Sequence, residues 1–279
     1  MRKIQLRFRI VAICCFCLCA FAHAQQENKV KIICYNILEG MVTDTSANKQ
    51  VFVKWVESQN PDILALQETN NFTQDKLEDL AHSYGHPYAI LSKEPGYPPS
   101  LTAKKPILNA VKLVDNLWHA CVIAEVDGYH IISLHLSPHQ YVSRGLDIEL
   151  ILQTIRSKGD FKKWIIMGDF NSVSPLDKDK YADGTYVDRM KEHEKKNPTH
   201  HNLVNGQLDY SVHQRILDFG FVDAIKQAPD YSSKAYDRRI DFIYVSPDLK
   251  DKIQSAGFIT DDFTKVYSDH KPIFVILGK

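Results

Sequence analysis

The 279-residue chain predicts an α/β protein in which mixed β-sheets are covered by helices. Three observations predict it. From Val30 to the C-terminus, short runs rich in β-branched and aliphatic residues alternate with segments whose apolar residues recur at helical spacing. Hydrophobic residues make up 44% and charged residues 24%, the balance of a chain that packs a core rather than staying disordered. No internal repeat or low-complexity linker interrupts the alternation, and residues 25–279 are long enough to bury the core of a single domain.

The first residues stand outside that core. Arg2, Lys3, Arg7 and Arg9 form a basic start, Ile10 to Phe21 is almost wholly apolar, and Ala22-His23-Ala24 precedes a polar stretch. That is the layout of a cleavable export leader over residues 1–24, and the apolar run is too short to span a bilayer. The whole chain has 34 basic and 34 acidic residues. The leader holds four of the basic ones and none of the acidic, which leaves a net −4 with His neutral. A mildly acidic protein has no broad attraction for polyanions, which argues against tight binding of long nucleic acid without excluding it. Four of the six cysteines leave with the leader. Cys34 and Cys121 remain in strand-like runs and are expected to be buried free thiols, without zinc-ligand spacing.

The elements follow in order. Val30–Tyr35 reads as a strand. Asn48–Glu57 reads as a helix with Val51, Trp55 and Val56 on its apolar face, and Pro61 ends it before the buried strand Ile63–Leu66. Leu77–Tyr84 is a helix and Tyr88–Leu91 a strand. Pro95, Gly96, Pro98 and Pro99 mark a loop. Val111–Val114, Ala120–Val126 and His130–Leu134 are strands, with Asp127-Gly128 the hairpin turn between the last two. Ile148–Ile155 is helical, Trp164–Met167 a buried strand, Val212–Phe219 a helix, and Ile240–Val245 and Ile273–Leu277 are strands. Residues 172–209 break the pattern: polar and charge-dense around Lys191–Lys196, they predict a long surface excursion, partly helical. Its His193, His200 and His201 read as solvated loop histidines rather than a second metal site.

Six short polar signatures are placed at the C-terminal ends of strands or just after them: Tyr35-Asn36, Gln67-Glu68, His135, Gly168-Asp169-Phe170-Asn171, Arg239-Ile240-Asp241 and Ser268-Asp269-His270. Strand ends are where an α/β scaffold aims side chains into a shared cleft. Each signature alone has a plainer explanation, such as a cap, a turn or an Arg239–Asp241 ion pair. Together they supply carboxylates, amides, two histidines and an arginine, the inventory for a hard cation and a phosphate. Phosphoester hydrolysis needs charge stabilisation at the phosphoryl oxygens, an oriented water and a proton for the leaving group. Glu68 suits a metal ligand, and a carboxylate-held His270 suits a base or a transition-state stabiliser.

The order of these motifs, above all Gly-Asp-Phe-Asn followed by Ser-Asp-His near the C-terminus, resembles the endonuclease/exonuclease/phosphatase superfamily over about Val30–Leu277. The resemblance implies a four-layer α-β-β-α sandwich with two mixed β-sheets and an active site at one end. It implies Asn36, Glu68 and Asp269 at a divalent metal, magnesium or manganese, with Glu68 dominant. Asp169, helped by Asn171, would orient or deprotonate the attacking water. His270 would be base or phosphate stabiliser, oriented by Asp241, and His135 would contact the phosphate or protonate the leaving group. Arg239 is either a phosphate contact or structural.

The expected function is therefore a phosphoester hydrolase, first a phosphodiesterase acting on nucleic acid or phospholipid. The alternative is a phosphomonoesterase on a sugar, inositol or nucleotide phosphate. A non-catalytic binder on the same fold should have lost at least one of these residues, and none is missing. No Trp-Phe hairpin suited to entering a membrane and no basic, aromatic-interleaved stretch suited to gripping DNA is present. A monomer without stable membrane insertion is expected, with the 172–209 excursion bordering the cleft.

Overall fold

The structure, a computed structural model, describes residues 29–234 and 236–279. The expected export leader lies outside the described residues. Fourteen strands form in chain order: β1 (Lys29–Asn36), β2 (Ile63–Gln67), β3 (Tyr88–Leu91), β4 (Ser100–Ala103), β5 (Ile107–Leu113), β6 (Cys121–Val126) and β7 (Tyr129–His135). They continue with β8 (Trp164–Asp169), β9 (Leu203–Val204), β10 (Gln207–Leu208), β11 (Val222–Asp223), β12 (Asp241–Val245), β13 (Ile253–Phe258) and β14 (Ile273–Gly278).

Two six-stranded sheets carry the fold, ordered β13-β14-β1-β2-β4-β3 and β11-β12-β8-β7-β6-β5. Each is mixed for the same reason: one adjacent pair is parallel, β1 with β2 and β7 with β8, and the other pairs are antiparallel. Both parallel connections cross over through a helix, Gln50–Gln59 and Tyr141–Ser157.

The alternation of side chains along each strand builds four layers. Inward-facing Ile32, Cys34, Ile63 and Val275 of the first sheet meet Val122, Ile131, Ile165 and Ile243 of the second in one buried cluster. The opposite face of the second sheet, with Ile132, Ile166 and Phe242, packs on Ile148, Ile151 and Leu152 of the helix Tyr141–Ser157 and on Val212 and Ile216 of Ser211–Phe219. The opposite face of the first sheet, with Ile33, Leu64 and Leu66, packs on Phe52, Trp55 and Val56 of Gln50–Gln59 and on Leu80 and Ala81 of Gln74–Ser83. The expected sandwich is thus observed. Cys34 and Cys121 are buried free thiols. Among the described residues, no helix is long and apolar enough to cross a membrane.

The expected elements are present, mostly longer than their apolar runs. The helix read at Ile148–Ile155 spans Tyr141–Ser157, and the strand read at Val111–Val114 begins at Ile107. That strand is a largely exposed sheet edge with a register shift between Leu108 and Val111, so its first half carries no burial pattern. Strands β4 and β13 were not expected. Ser100–Ala103 follows a proline-rich loop, and Ile253–Phe258 contains Gln254, Ser255 and Gly257, which dilute its apolar signal. The excursion folds into a short 3₁₀ segment, the helix Thr185–Lys196 with no buried residue, and the β9–β10 hairpin.

Candidate active site

Ladder register places three functional side chains next to one another. Parallel pairing of β7 with β8 sets His135 opposite Asp169, and antiparallel pairing of β8 with β12 sets Asp169 opposite Asp241. Residues in register on neighbouring strands project to the same side, so the three groups share one end of the second sheet. In the first sheet Asn36 pairs in register with Gln67, and Glu68 follows. One expectation needs correcting. Asp241 opens an antiparallel strand, and Ser268-Asp269-His270 precedes β14, so these two signatures sit before strands. Antiparallel pairing brings their N-terminal sides to the same end of the sandwich as the C-terminal ends of β1, β7 and β8.

Gly168 makes the close strand approach possible. Its φ is 154°, and a Cβ there would collide with the carbonyl oxygen of Leu134 on β7. Asn171 turns the chain in the left-handed region, φ 47°. Its backbone N–H donates to Asp169 Oδ1 at 2.8 Å, and its amide donates to the Leu136 carbonyl at 3.0 Å. Asn171 therefore holds Asp169 from behind.

The two sheets are joined through Asn36. Its Nδ2 donates to Glu68 Oε1 at 3.1 Å and to Asp169 Oδ2 at 3.0 Å. The second Glu68 oxygen accepts from the Glu39 N–H at 2.8 Å. Ser268 Oγ donates to the Asn36 carbonyl at 2.8 Å and accepts from the His270 N–H at 3.1 Å, which ties the Ser-Asp-His loop to β1.

His270 Nδ1 and Asp241 Oδ2 are 2.7 Å apart, and His270 Nε2 lies 3.7 Å from Asp169 Oδ2. Burial alone would lower the His270 pKa, but the Asp241 and Asp169 carboxylates outweigh it and push it up to about 10. His270 is thus held as an imidazolium, able to donate a hydrogen bond from Nε2. His135 Nε2 lies 3.7 Å from the same Asp169 oxygen, and its Nδ1 contacts the Tyr97 carbonyl at 3.1 Å.

One cavity of about 710 Å³ is lined by Glu68, His135, Asp169, Asn171, Asp241, Asp269 and His270. Asn36 sits just behind it, so all eight expected metal and catalytic residues converge. Arg239 also lines the cavity, but its guanidinium is committed elsewhere. Its guanidinium is fully buried, donating from Nε to Asp177 at 2.8 Å and from Nη1 and Nη2 to Asp223. Both carboxylates hold its charge against the desolvation of burial. Of the two readings, the structural one holds, with Asp177 and Asp223 as partners in place of Asp241.

Sequence reasoning missed His119, Tyr97, His139, Arg238 and Lys271, which also line the cavity. His119 stacks on His135 with ring centroids 4.4 Å apart, and burial pushes its pKa down to about 2, keeping it neutral. The signal for it was available. The Asp127-Gly128 turn pairs Val126 with Tyr129, and counting back along that hairpin carries His119 past Cys121↔Leu134 to the level of Leu136, next to His135. His193 and His200 lie 2.8 Å apart and His139 stacks on His200.

The donor chemistry fits a divalent cation. Glu68 and Asp269 present carboxylates to the cavity, the hard donors that magnesium and manganese take, while the Asn36 Oδ1 accepts from the Leu38 N–H at 3.1 Å behind them. Asp169, Asp241 and His270 also offer three ligand atoms within 4.8 Å of one another, the one such group among the described residues, and Asp241 Oδ1 is buried without a hydrogen-bond partner. An imidazolium cannot ligate, so the oxygen side of the cavity is the better cation seat, with Asp169 between the two groups.

Comparison with known proteins agrees with this geometry. An apurinic/apyrimidinic (AP) endonuclease from Archaeoglobus fulgidus superposes with a TM-score of 0.62 at 17% identity, over 89% of this chain and 99% of that one. A 3′ phosphatase from Neisseria, bound to a product DNA hairpin, gives 0.65 at 20%, over 90% and 100%. A mannosyl-6-phosphatase from Bacteroides thetaiotaomicron gives 0.58 at 16%, over 88% and 98%. No curated protein matches the chain by sequence. The model of the Endonuclease/Exonuclease/phosphatase family matches residues 33–270, from β1 to His270 itself, and the chain belongs to that family.

Proposed function

We propose that the protein is a divalent-metal-dependent phosphoester hydrolase, with phosphodiesters the first substrate class and phosphomonoesters the second. The observation that carries this reading is the convergence, in one cavity, of the His270–Asp241 pair, Asp169 and the Glu68 and Asp269 carboxylates. Glu68 and Asp269, with Asn36 beside them, would hold magnesium or manganese, which would supply positive charge to the phosphoryl oxygens. Asp169, held by Asn36 and Asn171, accepts a proton from the attacking water. His270, kept protonated by Asp241, donates to a phosphoryl oxygen, and His135 contacts the leaving-group side.

Similar structures include nucleases and phosphatases, which supports both substrate classes. Phosphate or alcohol release from plasmid DNA, RNA, sphingomyelin, bis-p-nitrophenyl phosphate and p-nitrophenyl phosphate, with magnesium, manganese or EDTA, tests the proposal. EDTA-sensitive cleavage of a diester supports the first class, and cleavage of p-nitrophenyl phosphate alone supports the second. Cleavage that survives EDTA would overturn the metal dependence. The leader expected at residues 1–24 further proposes an exported enzyme, tested by sequencing the N-terminus of protein recovered outside the cytoplasm.

A further inference from the structure

A second cavity, of about 330 Å³, lies beneath the helix Thr185–Lys196 and shares Pro138, Asn171, Arg238 and Ile240 with the catalytic cavity. Its volume is at the lower end of the range for small-molecule sites, roughly 300 to 1,000 Å³. Two charged side chains in its wall are almost closed off from solvent, Arg144 at 2% exposure and Asp209 at 7%.

Both have an unmet polar atom. Arg144 donates from Nη1 to the Ser137 carbonyl at 3.0 Å and to Asn202 Oδ1 at 2.7 Å, while its Nε is buried without a partner. Asp209 accepts from the Ser211 N–H at 2.9 Å through Oδ1, while its Oδ2 is buried without a partner. Buried charged groups are rarely left so, because each forfeits its hydration without replacement. A donor and an acceptor left without partners on two side chains of one cavity wall call for a ligand group that both accepts and donates.

A hydroxyl does both. An apolar group would leave both atoms unmet, and a second phosphate, although Arg144, Arg189 and Arg238 would attract it, would bring no donor for Asp209 Oδ2. The remaining wall mixes polar and apolar groups: Tyr186 Oη accepts from Arg238 at 3.1 Å, and Asn202, Ser172 and Arg189 stand beside the apolar Val173, Met190 and Leu208.

We infer that this cavity binds the hydroxyl-bearing, non-reacting part of the substrate, a sugar ring or similar polyol, while the phosphoester lies beside Asn171 in the catalytic cavity. This rests on the hydrolase reading above. It gives the 172–209 excursion, which contributes Tyr186, Asn202 and Asp209, the task of selecting the substrate.

The test compares cleavage of hexose 6-phosphates with cleavage of n-hexyl phosphate, whose carbon chain has no hydroxyls, or of the corresponding p-nitrophenyl diesters where the protein cleaves diesters alone, for the wild type and Asp209→Asn with magnesium or manganese. The expected result is a kcat/KM ratio favouring the hexose phosphates by roughly tenfold or more, carried mainly by KM, and a fall of that ratio by a similar factor in the variant. Equal rates on both substrates, or a ratio that Asp209→Asn does not move, would overturn the inference. So would a preference for propane-1,3-diyl bisphosphate over hexose phosphates, which would make the cavity an anion site. Saturation-transfer NMR with a free hexose separates the two proposals. Transfer that disappears in Asp209→Asn, in a protein that hydrolyses no phosphoester, would retain the cavity's role and reject the hydrolase; no transfer together with hydrolysis of n-hexyl phosphate alone would do the reverse.

Discussion

His270 Nδ1 lies 2.7 Å from Asp241 Oδ2, although 29 residues separate the two in sequence and His270 stands in the loop before β14 of one sheet while Asp241 opens β12 of the other. The carboxylate fixes both the orientation of the ring and its charge. Asp241→Asn keeps the shape and removes the charge, so it should lower phosphoester turnover by about 10²-fold or more while circular dichroism stays unchanged. Turnover within a few-fold of wild type would remove His270 from the chemistry.

Glu68 is read as the principal metal ligand. Glu68→Gln should weaken magnesium binding, measured by calorimetry on the metal-free protein, by roughly tenfold or more. The variant should also need correspondingly more metal for half-maximal activity. An unchanged titration would move the metal to the Asp169–Asp241–His270 side.

Arg239 separates stability from catalysis. Arg239→Met leaves Asp177 and Asp223 facing each other in the interior without their shared counter-charge, a loss on the order of 3 kcal/mol. Urea denaturation should show that loss. A variant of normal stability with a sharply raised KM would restore the phosphate-contact role.

His86 gives the fold a pH dependence away from the site. It is fully buried between Thr102 Oγ1 at 2.8 Å and the Pro61 carbonyl at 2.9 Å, and burial pushes its pKa down to about 4 from an ordinary 6.5. The folded state therefore keeps His86 neutral while the unfolded chain takes up a proton. Stability from this residue is complete above about pH 6.5 and is lost as pH falls towards 4, on the order of 3 kcal/mol in all. His86→Gln should flatten the fall in the urea midpoint between pH 7 and pH 5. An identical slope in both proteins would show that other groups set the acid sensitivity.

The sequence made the layered fold and eight of the nine proposed site residues legible because each rested on a local pattern. Ile63–Leu66 is an unbroken apolar run, Asp127-Gly128 is a turn that demands positive φ at both positions, and Gly168-Asp169-Phe170-Asn171 concentrates polar residues at the end of a buried strand. Arg239 could not be resolved, because its partners Asp177 and Asp223 lie 62 and 16 residues away and neither carries a mark of burial in the sequence. Strands β4 and β13 escaped for a similar reason. The burial of Ser100 and Thr102 comes from neighbouring strands rather than from their own polarity.

Asn36 is one place where the two sheets touch through polar atoms; Ser133 Oγ, donating to the Ser100 carbonyl at 3.0 Å, is another. One amide holds Glu68 at the end of β2 and Asp169 at the end of β8. Glu68 therefore travels with one sheet and Asp169 with the other. The spacing of the two carboxylates depends on how the Ile32–Val275 face seats against the Val122–Ile243 face. A methyl group lost from that apolar filling lets the halves of the centre drift apart before either sheet comes undone. Loss of turnover would then be the earliest symptom of a loosening sandwich, ahead of any change in its secondary structure.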